Sequence, residues 1–67
     1  MLINLKLEIC KKKISAAKIS RFLGIGTETM SNKVTEKSQF TRTEMYKIHE
    51  EFFPDTDFYY LFRSDKE

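Results

Sequence analysis

The stretch ISAAKISRFLGIGTETMSNK, residues 14–33, decides the fold. It reads as a short helix, a turn marked by the chain's two glycines, and a second short helix. Ser15 is a good N-cap for the first helix, because a hydroxyl can satisfy one of the free N–H groups of a first turn. Ile19, Phe22 and Leu23 fall on one face of that helix, and Lys18 and Arg21 on its polar side. Ser20 supplies a small side chain where the two helices must approach closely. Gly24 follows the last apolar residue and can take the left-handed conformation that ends a helix and turns the chain sharply. Gly26 then caps the second helix, losing only a few tenths of a kcal/mol against a hydroxyl-bearing cap. Met30 and Val34 give that helix an inward side, which leaves Thr27, Glu28, Ser31, Asn32 and Lys33 facing outward.

Upstream, Ile3, Leu5, Leu7 and Ile9 alternate with polar residues as a half-buried strand would. Leu2, Leu5 and Ile9 also fall at helical spacing, and nothing elsewhere reads as a partner strand. A lone strand leaves its backbone unsatisfied, so a helix over residues 3–12 is expected. Lys11, Lys12 and Lys13 close it, where cations suit the negative end of the helix dipole.

Downstream, residues 35–39 form a polar loop. Thr41-Arg42-Thr43-Glu44 is then a capping box. Phe40 before that cap and Met45 at the fourth helical position can form a hydrophobic staple. Met45, Ile48 and Phe52 line the buried face of the fourth helix, which Pro54 stops. Asp55, Thr56 or Asp57 caps a last short helix holding Phe58, Tyr59, Leu61 and Phe62, and residues 63–67 are a charged tail. There are no repeats and no linker. The expectation is one all-α domain over residues 1–67, a compact five-helix unit with a helix-turn-helix formed by its second and third helices.

Sixty-seven residues leave a thin stability margin, since a chain this short buries only about 60% of the surface it exposes when unfolded. Cys10 has no disulfide partner and reads as a small buried or half-buried apolar residue in a reducing cytosol. No apolar run approaches the roughly 20 residues of a membrane-spanning helix, so a cytoplasmic protein is expected. The net charge of +2 is unevenly spread. Residues 1–42 carry nine Lys or Arg against three Glu, while residues 43–67 carry three against seven acids. A basic half joined to an acidic half suits a polyanion binder with one end facing its ligand.

Enzymatic chemistry finds little support. His49 is the only histidine and reads as a surface or core-edge residue. One histidine and one cysteine fall short of the four ligands of a zinc site. Gly24-Ile25-Gly26 has Thr29 where a dinucleotide loop needs its third glycine, and a helix rather than a strand precedes it. The dispersed acids lack calcium-loop spacing. Neither catalysis, metal nor cofactor is expected.

What remains is the outward face of the third helix. The major groove admits an α-helix and shows a distinct donor and acceptor pattern for each base pair. Thr27, Glu28, Ser31 and Asn32 are polar, of suitable length and free of core duties. Asn32 can pair with adenine, Thr27 can touch a thymine methyl, and Glu28 can accept from a cytosine amino group. Glu28 also has a second reading, as a first-turn acid at the helix dipole. Phosphate contacts, which position a protein without reading sequence, are expected of Ser15, Lys18, Thr29, Lys33, Lys37, Ser38 and Arg42.

These residues together resemble the helix-turn-helix of the lambda repressor and Cro-like (XRE) family of phage and bacterial regulators. The resemblance rests on Ile14-Ser15, Leu23-Gly24-Ile25, Thr29-Met30-Ser31-Asn32-Lys33, Lys37-Ser38, Phe40-Thr41 and the closing Asp57-Phe58-Tyr59-Tyr60-Leu61-Phe62. It spans about residues 4–62. It implies a five-helix domain that binds operator DNA, usually as a two-fold dimer on a palindromic site, with base reading at Thr27, Glu28 and Asn32. The chain departs from the pattern at three places. Ala16 stands where the family often has a phosphate-touching glutamine, Gly26 replaces a Ser or Thr cap, and Glu36 occupies a loop position that favours glycine. The length resembles a Cro-type or modulator protein more than an inducible repressor. Phe58, Tyr59, Tyr60 and Phe62 exceed what one short helix buries inward, and aromatics mark interface cores, so a homodimer would form there. A second expectation is a protein-interaction module on the same scaffold, a repressor modulator, anti-repressor or antitoxin whose partner is another repressor or a toxin.

Overall fold

A computed structural model describes residues 1–64 of the chain. The tail segment 65–67 lies outside the described residues. Among the described residues five helices follow one another: α1 (Ile3–Lys11), α2 (Ala16–Leu23), α3 (Thr27–Val34), α4 (Arg42–Phe52) and α5 (Phe58–Leu61). Among the described residues there is no strand. The helical reading of the N-terminal segment is the one the fold adopts, with Leu2, Leu5 and Ile9 buried and Ile3 and Leu7 exposed. No helix among the described residues is long and apolar enough to cross a membrane.

One core holds the elements together. Leu5, Ile19, Met30, Ile48, Phe53 and Leu61 are fully buried, so every helix contributes one residue and the chain after α4 adds Phe53. Phe53 was not expected. The helical spacing singles out Phe52, but the chain leaves helical geometry at Phe53, whose φ of −136° swings its ring inward. Phe52 is half-buried and meets Phe22 edge-on at 5.4 Å. Phe22, placed on the inner face of α2 by its spacing, is 46% exposed. Cys10 also departs from expectation, being exposed rather than buried or half-buried. Five residues on from Leu5, it is turned about 140° from that buried position around the helix.

The caps follow the sequence closely. The Ser15 hydroxyl accepts the Lys18 N–H at 3.1 Å. Thr41 and Glu44 form the reciprocal capping box. Phe40 is buried and Met45 packs half-buried against the same core, as a staple requires. Of the three candidate caps for α5, Asp57 takes the role by accepting the Tyr60 N–H at 2.8 Å.

Three helices end in a left-handed residue, and only one of these is glycine. Gly24 (φ 74°) closes α2, with the Ile25 N–H reaching the Ser20 carbonyl and the Gly24 N–H that of Arg21. Lys13 (φ 57°) does the same after α1, where the Ile14 N–H bonds the Ile9 carbonyl and the Lys13 N–H that of Cys10. This is the Schellman arrangement. Glu36 (φ 69°) turns the chain after α3, so it takes on the conformation for which glycine is favoured.

Candidate nucleic-acid interface

The two helices of the motif, α2 and α3, pack on each other. Ser20 of α2 is buried, and its hydroxyl is satisfied within its own helix by donating to the Ala17 carbonyl at 2.9 Å. The Gly24 turn then redirects the chain into α3, which Met30 anchors in the core. Anchoring by Met30 fixes the rotation of α3 about its own axis. Residues one and two positions away, Glu28, Thr29, Ser31 and Asn32, therefore turn outward at about 100° per residue.

Thr27, Glu28 and Ser31 are exposed and Asn32 is half-exposed, so the four expected base-reading residues share the open side of α3. The C-terminal aromatics do not cover them, because α5 packs against α1. The Asn4 amide donates to the Tyr60 carbonyl at 2.9 Å, and the Tyr60 hydroxyl donates to Glu8 at 3.3 Å. Glu28 occupies the first turn of α3, where its charge also complements the helix dipole.

Most of the residues expected to touch phosphate are exposed: Ser15, Lys18, Thr29, Lys37, Ser38 and Arg42. Ser15 uses its oxygen as the α2 cap, so its hydroxyl hydrogen is what it has left to donate. Lys33 differs from these in being engaged within the chain. Its ammonium turns back to the N-terminus of α4, donating to Glu44 Oε1 at 3.1 Å and to the Gln39 carbonyl at 3.0 Å. Its side chain is 12% exposed, because the helix places it a third of a turn from the outer face and beside the acidic capping box. Burial pushes the Glu44 carboxyl up. Hydrogen bonds from the Thr41 N–H and from Lys33, with the Lys33 charge, outweigh that and hold it below its ordinary value. Two of the lysines at the end of α1 are also engaged within the chain. Lys12 donates to the Phe52 carbonyl at 2.9 Å and lies over the Phe53 ring, and Lys11 pairs with Glu8 at 3.3 Å.

Packing brings up residues that spacing alone does not. Lys6 and Cys10 of α1 and Ala16 of α2 line a shallow cleft of about 290 Å³ together with Thr27, Ser31 and Thr35. Lys6 thus places a charge beside the outward side of α3. Only the packing of α1 on α3 puts it there, and no local pattern around residue 6 signals it. The expected aromatic interface is largely used internally. Phe58 and Phe62 are half-buried with their rings 5.1 Å apart, and Phe62 meets Phe40 at 6.1 Å. Tyr60 is near the edge of exposure, while Tyr59 stands 80% exposed.

No family model, curated protein or solved structure matches the chain.

Proposed function

We propose that this chain is a sequence-specific DNA-binding regulator that inserts α3 into the major groove of duplex DNA. One observation carries the reading: Thr27, Glu28, Ser31 and Asn32 lie along an uncovered side of a helix whose rotation is fixed by buried Met30. The flanking Lys18, Lys37 and Arg42 are exposed and suited to phosphate. The sequence resemblance to the lambda repressor and Cro-like family supports the same reading, as does the +6 charge of residues 1–42. On this reading the protein works in the cytoplasm, the operator is palindromic, and two copies bind it.

The test is a gel shift on duplexes flanking the coding region, with unrelated competitor present. Log affinity should fall linearly with log salt, because each neutralised phosphate releases counterions. Asn32→Ala should weaken binding by about 1–3 kcal/mol and relax preference at one base pair. Parental affinity in that variant would remove Asn32 from the reading face.

A second reading has its own observation. Tyr59 is 80% exposed and meets the Phe58 ring, which half-exposed Tyr46 also meets, so the three form an aromatic corner. A modulator or antitoxin that captures another protein would use that corner. Co-purification of a partner that depends on Tyr59, with no duplex retained at about 50 mM salt, would favour it.

A further inference from the structure

Lys33 sits in the last turn of α3 and points toward α4. Besides its bonds to Gln39 and Glu44, its ammonium lies 5.7 Å from the centre of the Phe40 ring. The carboxylate oxygen it meets, Glu44 Oε1, also accepts the Thr41 N–H at 2.9 Å, and Thr41 Oγ1 accepts the Glu44 N–H at 3.1 Å. One side chain of α3 therefore holds the exit of the 35–39 loop, the aromatic that follows it and the cap of α4. Within the same loop, the Ser38 N–H reaches back to the Asn32 carbonyl at 3.2 Å. Lys37 lies in the segment this bond closes, Ser38 makes the bond, and Arg42 lies between Gln39 and Glu44, the two residues that Lys33 holds.

We infer that Lys33 is a positioning residue, fixing Lys37, Ser38 and Arg42 relative to the reading side of α3 rather than touching phosphate itself. The inference rests on the DNA reading above for its consequence, but not for its geometry. A flexible loop would have to be ordered at the moment of binding. A loop already clasped to the reading helix presents its donors at a set distance from the base-contacting residues. Lysine suits the task because its ammonium has three donors and can serve a carbonyl and a carboxylate at once.

Salt separates the two roles. A lysine on phosphate contributes about 0.9 to the slope of log affinity against log salt. A positioning lysine lowers affinity when removed but leaves the slope where it was.

The experiment has two arms. In the free protein, amide exchange is measured on the parent, Lys33→Met, Glu44→Gln and the double variant. Glu44→Gln keeps the capping box, since glutamine also serves there, but removes the charge that Lys33 meets. Faster exchange at the Ser38 and Thr41 amides is expected in both single variants, with α1 and α2 unchanged. The double variant should exchange no faster than either single one, because both residues act through one contact. Unchanged loop exchange in Lys33→Met, or additive effects in the double variant, overturns the proposal. If Lys33→Met fails to fold, Glu44→Gln decides this arm.

In the second arm, Lys33→Met should bind an operator duplex about tenfold more weakly, as for a lost charge-assisted bond, with the salt slope of the parent. A slope reduced by about 0.9 assigns Lys33 to phosphate and overturns the proposal. Should the parent bind no duplex, the DNA reading fails while the exchange arm still decides the clasp.

Discussion

Glu44 shows how much one residue can combine. It closes the α4 capping box, receives Lys33 and is held below the ordinary carboxylate range by those donors. A carboxyl whose folded pKa is depressed favours the folded state above its unfolded pKa. That contribution is lost as the pH falls through the folded value, because the unfolded chain binds the proton more readily. The loss therefore belongs on the acid side of 4.5, the carboxyl's ordinary value. Glu44→Gln should lower the melting temperature at neutral pH and flatten the decline between about pH 5 and pH 3. Melting curves followed by circular dichroism check it, and parent and variant declining in parallel would remove Glu44 as the source. The capping box was legible in the sequence because Thr41 and Glu44 are three residues apart. The Lys33 contact was not legible, since Lys33 and Glu44 are eleven residues apart and meet only through the loop between them.

At the scale of elements, the helix starts were easier to read than the helix ends. Ser15, Thr41 and Asp57 announce themselves by side-chain chemistry, and each accepts a first-turn N–H as expected. Ends are set by backbone conformation, and only Gly24 carries that signal in its residue type. Lys13 and Glu36 adopt the same left-handed geometry without it. The run of lysines therefore reads as a charge feature although it hides a cap. For an L-residue the left-handed region costs roughly 1–2 kcal/mol. Glycine recovers part of this but raises the entropy of the unfolded chain by roughly 0.5–1 kcal/mol. The exposed Lys13 donates only its backbone N–H to the α1 cap, so Lys13→Gly should be stabilising by about 0.5 kcal/mol or more. Urea denaturation checks the sign. Lys13→Ala, which keeps the Cβ, should not share the gain.

For the whole molecule, Phe22 and Phe53 show where periodicity stops being sufficient. Phe22 follows the helical pattern yet lies at the rim, while Phe53 breaks it and fills the centre, because the core is shared by five short elements meeting in a body of 25 × 24 × 22 Å. Cys10 makes the same point and supplies a test. Its residue type suits burial, but it is exposed on the wall of the cleft that also holds Thr27 and Ser31. A bulky group attached there would overhang the start of α3, whereas a small one would fit within the roughly 290 Å³ available. If α3 enters the major groove, labelling Cys10 with a fluorescein maleimide should weaken duplex binding by on the order of tenfold or more, since such a group prevents close approach of the helix to base edges. Methylthiolation should have little effect, and Cys10→Ala should bind normally and ignore both reagents. Circular dichroism on the labelled protein verifies that the helices persist. Full binding by the bulky adduct would place the DNA elsewhere on the molecule, and the open side of α3 would then need another occupant.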